Sequence, residues 1–234
     1  MSGFGKVKRH PFPLGILRTG HIAARETKCI VFELHPGTMK KVLSCFGPGQ
    51  AHSHFVTITP DNRIRLYDTS SGSMLSELNE SSHLAITYTA IAWSKRSSAK
   101  RKRGDDTNCG LLALGTDKGH IVIWDLALGR VVTKLSGHSS SITSLTFGST
   151  EETLFSGASS DKTISQWDTS TGKKASEINV GKRGTSWLEV SPNGTNLLVS
   201  STSMRLYDLS SNEKLSKFGK YTKHVRQATF SHDG

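Results

Sequence analysis

No stretch of this 234-residue chain approaches the roughly 20 consecutive apolar residues that a membrane-spanning helix needs. The longest apolar runs, such as LLAL at 111–114 and IVIW at 121–124, have the length of strands, so neither a membrane helix nor a membrane partner is expected. Cysteine is scarce: Cys29, Cys45 and Cys109 form no CxxC pair and are odd in number, which argues against a disulfide framework or a zinc site and for a reducing compartment. Phosphate-cradling loops are missing, since neither GxxxxGK[ST] nor GxGxxG occurs, and no GxSxG elbow marks a hydrolase nucleophile. His52 and His54 share one face of a strand without a nearby carboxylate or cysteine, too few ligands to hold a metal. The expectation is therefore no cofactor, no metal, no small-molecule substrate and no catalytic residue. Near the N-terminus Lys6, Lys8 and Arg9 precede PFPLGIL, which is too short and proline-broken for a signal peptide. The sequons at Asn79 and Asn193 then read as turn sequences.

What the chain does have is a repeat. Four short apolar stretches run into an aromatic residue followed by aspartate: IRLYD (64–68), IVIWD (121–125), ISQWD (164–168) and MRLYD (204–208). They end at Asp68, Asp125, Asp168 and Asp208, with spacings of 57, 43 and 40 residues. Inside the widest gap lies a polar, basic insertion, KRSSAKRKRGDDTN (95–108), and discounting its 14 residues brings that gap to 43 as well. A period in the low forties is the signature of WD repeats, each a four-stranded antiparallel blade of a β-propeller. One blade cannot hide its own apolar face, so neighbours must stack on it and build a rigid disc.

The rest of each unit follows in register. First strands read KVLSCF (41–46), TAIAW (89–93), ITSLTF (142–147), SWLEV (186–190) and RQATF (226–230), each followed by turn formers. The chain is thus expected to be all-β, a truncated ring of four complete blades and the start of a fifth. The expected blades span about 39–79, 84–136, 138–178 and 181–218, with a partial one at 222–234, and seven such units would need about 280 residues. Residues 1–38 do not match the repeat and read as a partly disordered appendage carrying one strand-like run, CIVFEL (29–34). The remainder, 39–234, is the propeller segment, read as part of a longer protein.

The third unit holds a serine, a histidine and an aspartate that mimic a hydrolase triad, but their strand and turn positions fit a structural tetrad instead. In that reading Asp161 accepts from the His138 ring and nearby turn amides, His138 bonds Ser156, and the Trp167 indole finds the serine hydroxyl. Other units keep only parts of the set: Asp61 and Tyr67, Asp117 and Trp124, and Tyr207 alone.

The formal net charge is +11, unevenly placed. Six cations, Lys95, Arg96, Lys100, Arg101, Lys102 and Arg103, crowd the insertion, which reads as a disordered loop serving as a nuclear localisation signal or a nucleic-acid contact. This insertion between AIAWSK and LLALGTDKGHIVIWD, followed by SGHSSSITSLTF, LFSGASSDKTISQWD and SPNGTNLLVSSTSMRLYD, resembles the WD repeat-containing protein 43 family over residues 40–234. The resemblance implies a nucleolar, non-enzymatic scaffold of the small-subunit processome. It further implies a role in rRNA processing and 18S maturation, support of rRNA transcription, and other processome proteins and pre-ribosomal RNA as partners. A second reading is an adaptor of another nuclear complex, chromatin-bound or a ubiquitin-ligase receptor. Ligase receptors commonly carry arginine two residues after the repeat aspartate; Ser70, Ala127, Ser170 and Ser210 stand there and count against that branch.

Overall fold

The computed structural model describes residues 29–34, 40–47, 53–79, 86–94, 110–181, 184–219 and 221–231. All regular structure among them is strand. The first sheet contains β1 (Cys29–Leu34), β2 (Lys40–Phe46), β3 (His54–Ile58), β4 (Ile64–Asp68) and β5 (Met74–Leu78), and the second β6 (Tyr88–Trp93), β7 (Leu111–Thr116), β8 (His120–Asp125) and β9 (Arg130–Ser136). The third holds β10 (Ile142–Phe147), β11 (Thr153–Ala158), β12 (Thr163–Asp168) and β13 (Lys173–Asn179), and the fourth β14 (Trp187–Val190), β15 (Asn196–Ser200), β16 (Met204–Asp208) and β17 (Lys214–Phe218). Every sheet is an antiparallel meander in which neighbours in sequence are neighbours in space. The first strands of successive blades lie side by side, β2 on β6, β6 on β10 and β10 on β14. The architecture is a WD-repeat β-propeller.

Alternation along each strand divides its side chains between two interfaces, because successive Cβ atoms point to opposite faces. In β7, Leu112 and Leu114 enter the core shared with the first blade, while Ala113 enters the core shared with the third. In β8, Val122 and Trp124 go one way, Ile121 and Ile123 the other. Strands buried on both faces read as continuous apolar runs, which is why LLALGT and IVIWD lack the polar alternation of a half-exposed sheet. A third core joins Phe155, Ile164 and Ile178 of the third blade to Leu188, Leu197 and Tyr207 of the fourth.

A hydroxyl recurs at the inner strand of blades two, three and four. Thr89 Oγ1 shares its proton between its own blade's Gly115 carbonyl at 3.3 Å and the next blade's Ile142 carbonyl at 2.6 Å. Thr143 does the same with Gly157 at 3.1 Å and Thr185 at 2.5 Å, and Ser186 with Ser200 at 2.9 Å and Val225 at 2.8 Å. The strand register puts Val42 in this place in the first blade, so the seam between blades one and two lacks the bridge. Close approach is what makes the bridge reachable: a Cβ on Gly157 would lie 2.7 Å from the Thr185 Cβ, so only glycine lets the next blade's inner chain come this near. Replacing Thr143 by valine removes the bridge at nearly constant volume and is expected to cost about 1 kcal/mol in urea unfolding. The same change at Val42 in reverse, Val42→Thr, should not repeat that loss.

Two segments differ from the sequence expectation. The strand-like run in the N-terminal appendage, β1, pairs antiparallel with β2, from Cys29 opposite Cys45 to Leu34 opposite Lys40, which makes the first sheet five-stranded. The inner strand of a blade has one unpaired edge, and an extended segment satisfies its N–H and C=O groups. The expected fifth first strand, 226–230, forms no ladder. Residues 221–231 instead dock on the fourth blade, with the Tyr221 and Val225 amides donating to the Thr202 and Ser201 carbonyls, each at 2.8 Å. Val225 occupies the place of Ile142 and Thr185 at the other seams, but among the described residues no further strand pairs with it.

Candidate functional site

The third blade assembles the tetrad. β11 carries Ser156 and β12 carries Trp167, while His138 lies just before β10 and Asp161 in the β11–β12 turn. The distances fix who donates. Trp167 Nε1 has only a proton to give and donates to Ser156 Oγ at 2.7 Å. Ser156 Oγ lies 2.6 Å from His138 Nε2, and His138 Nδ1 lies 2.6 Å from Asp161 Oδ2. Asp161 is the terminal acceptor, so the proton sits on Nδ1, Nε2 accepts from the serine, and the serine accepts from the indole. Asp161 also accepts from Ser139 Oγ at 2.7 Å and Ser140 Oγ at 3.0 Å. Burial pushes the Asp161 carboxyl up, but the bonds from Ser139, His138 and Ser140 outweigh it and hold it below its ordinary value.

These spacings are those of a hydrolase triad, yet the chemistry does not follow. Ser156 is 0% exposed and its oxygen is already engaged by the indole, so no carbonyl substrate can approach it. The network ties the segment leading into the blade to its middle strands.

The other blades show why the set is complete only here. Register places Leu114 of β7 where β11 has Ser156, and the buried Trp124 indole N–H there has no partner among the described residues. Thr57 and Val199 hold that place in blades one and four, opposite the strands of Tyr67 and Tyr207. Asp61 instead accepts from Thr59 and pairs with Arg65 at 3.4 Å, and the Asp117 amide donates to the Thr87 carbonyl.

The four repeat aspartates close the turns between third and fourth strands. Asp68 Oδ1 accepts from Ser70 Oγ at 2.6 Å and the Ser71 amide at 2.7 Å. Asp168 accepts from Ser170 Oγ at 2.6 Å and Asp208 from Ser210 Oγ at 2.5 Å, each with backbone amides besides. Asp125, with Ala127 in the hydroxyl's place, accepts only the Ala127 and Leu128 amides, both at 3.0 Å. The serine hydroxyls hold the Asp68, Asp168 and Asp208 carboxyls down to about 2.

A carboxylate in the unfolded chain titrates near 3.9, so the native state binds fewer protons as the pH falls through that range. The stabilisation is complete above about pH 5 and fades between about pH 4 and 2. Acid unfolding of a triple variant with asparagine at 68, 168 and 208 should show a flatter loss in that window than wild type; superimposable acid transitions would contradict it.

The basic insertion, with Lys95, Arg96, Lys100, Arg101, Lys102 and Arg103, lies outside the described residues. Its anchors do not: the Ser94 amide donates to the Leu111 carbonyl and the Leu111 amide to Ser94 Oγ, both at 2.8 Å. The insertion therefore leaves and re-enters the second blade at one point, between its first and second strands. Alternating strand directions put that point at the same end of the blade as the Asp125 turn, and the Leu126 amide reaches the Gly110 carbonyl at 3.4 Å. Among the described residues no cluster of His, Cys, Asp or Glu suits a metal ion, and no helix is long and apolar enough to cross a membrane.

Residues 129–168 match the family model described as WD domain, G-beta repeat. That stretch runs from β9 through β12 and contains all four tetrad residues. The chain is 27% identical over 199 residues to WD repeat-containing protein 43 of Homo sapiens, covering 80% of this chain and 29% of that protein. It is 31% identical over 167 residues to WD repeat-containing protein 89 homolog of Dictyostelium discoideum, covering 67% of this chain and 43% of that protein. The chain thus spans less than half the length of either relative.

Proposed function

We propose that this WD-repeat chain, similar to WD repeat-containing protein 43 over most of its length, acts as a non-enzymatic scaffold of the small-subunit processome in the nucleolus. There it would serve rRNA processing, 18S rRNA maturation and ribosome biogenesis, and support rRNA transcription. Its partners in this reading are other processome proteins and pre-ribosomal RNA. The observation that carries it is the basic insertion of the second blade, set in a chain whose triad-like group, His138, Ser156 and Asp161, is built into the interior of a blade. Six cations in one insertion suit phosphate neutralisation, with counterion release as the driving force, or capture by an import receptor. A propeller supports either role by anchoring its connecting segments on a rigid scaffold at fixed spacing.

The test follows the full-length protein with Lys100, Arg101, Lys102 and Arg103 replaced by glutamine. Loss of nucleolar signal with RNA crosslinking retained in vitro marks the loop as an address, and the reverse marks it as a contact. Wild-type protein found only in the cytosol, with no RNase-sensitive association with pre-ribosomes, would end the reading. The alternative, a WD-repeat adaptor in another nuclear complex, chromatin-bound or a ubiquitin-ligase substrate receptor, rests on the repeat fold alone and predicts nuclear signal without nucleolar enrichment.

A further inference from the structure

The first strands of blades two, three and four each keep one edge without a sheet partner, because β6, β10 and β14 stand at the ends of their sheets and pair only with the second strand of their own blade. In the first blade that edge is taken, since β1 pairs with β2 along it. The chain itself thus shows that an extended segment fits against the inner edge of a blade. The free first strands border a groove of about 830 Å³, together with His224, Arg226 and Gln227 of the docked segment.

The groove is lined by one sign of charge. Among the described residues its ionisable side chains are Arg226 and His224, and no carboxylate lines it. Arg226, His224 and Gln227 are exposed, and none of the three makes a side-chain hydrogen bond or ion pair with a described residue. The Ser141 and Ser159 hydroxyls, which also line the groove, are equally uncommitted. Half-buried Trp187 adds an apolar wall, while Glu189, two residues on, accepts from Thr229 Oγ1 at 2.7 Å and is not part of the lining. The arginines of the first blade are by contrast occupied: Arg63 and Arg65 pair with Glu77 at 2.6 and 2.8 Å.

We propose that this groove docks an extended segment of a protein partner and receives one aspartate or glutamate side chain of that segment at Arg226. This rests on the scaffold reading and assigns one of its contact surfaces. The free strand edges offer N–H and C=O groups to the partner's backbone, and the guanidinium suits a carboxylate through two parallel hydrogen bonds. A nucleic-acid strand fits less well, because it carries a phosphate at every nucleotide and one guanidinium leaves all but one unmatched. A phosphoserine dianion likewise asks for more positive charge than one permanent cation supplies.

The test uses the full-length protein and short fluorescein-labelled peptides of valine, threonine and serine with a single central glutamate, glutamine or phosphoserine. Oligouridylate serves as competitor. The glutamate peptide is expected to bind about tenfold more tightly than the glutamine peptide, and Arg226→Gln to abolish that preference. Gln227→Trp, which fills the groove from an exposed position, should weaken both peptides about tenfold. Neither variant should shift the melting temperature, since neither side chain bonds to the fold. Equal affinity of the two peptides for wild type, unchanged affinity of the glutamate peptide in either folded variant, tighter binding of the phosphoserine peptide, or displacement by oligouridylate that depends on Arg226 each overturns the proposal. Recovery of processome proteins by wild type is scored in the same preparation. If the peptides behave as expected and no processome protein is recovered, the groove stands and the processome reading falls; if processome proteins are recovered and the peptides fail, the groove alone falls.

Discussion

Phe155→Ala is expected to destabilise the protein by about 3 to 5 kcal/mol. Phe155 is 1% exposed and packs in the core shared by the third and fourth blades, with Ile178, Leu188 and Leu197. Deleting its ring forfeits transfer free energy and opens a cavity that two hydrogen-bonded sheets cannot collapse to fill. Because the core lies between blades, the loss should loosen the seam as well as the blade. Urea unfolding checks the total, and hydrogen exchange at the β14 amides checks the seam. A change below about 1 kcal/mol would mean the two sheets do not pack as described.

The second large effect is expected at the tetrad. Ser156→Ala removes the acceptor of the Trp167 indole and the donor to His138 Nε2 together, stranding two buried groups at roughly 1 to 3 kcal/mol each. His138→Ala and Asp161→Ala should each lower the melting temperature too. The double variant should lose less than the sum of the singles, because either change alone already breaks the relay at the His138–Asp161 bond. Unchanged melting in both single variants would remove the assignment.

Much of this fold was legible in residues read one stretch at a time. Hairpin pairing is local: ISQWD and LFSGAS are marked by the repeat and by the turn between them, and the two strands pair from Thr153 opposite Asp168 to Gly157 opposite Ile164. The tetrad was legible too, since each member sits at a strand or turn position that the repeat itself marks. The seams were not. Thr143 reaches Thr185 across 42 residues, Thr89 reaches Ile142 across 53, and Ser186 reaches Val225 across 39. Aligning the first strands would have shown a hydroxyl at one position in blades two, three and four and valine in blade one, but nothing in one sequence says that position faces a neighbour. The apolar turn at Ala127 and Leu128 was visible as an exception among the repeat aspartates and was read only as the absence of arginine.

The amino-acid order by itself determined the period, the strand boundaries, the turn aspartates and which blade carries a complete polar relay, because each depends on contacts within about 40 residues and on side-chain alternation. Only the tertiary arrangement decided that β1 joins the first sheet, that residues 226–230 dock without forming a ladder, and that Ser156 is sealed from any substrate. Those outcomes depend on which edges and faces remain unpaired once the sheets stand side by side. That competition is settled by hydrogen-bond satisfaction and burial in space, and no spacing along the chain encodes it.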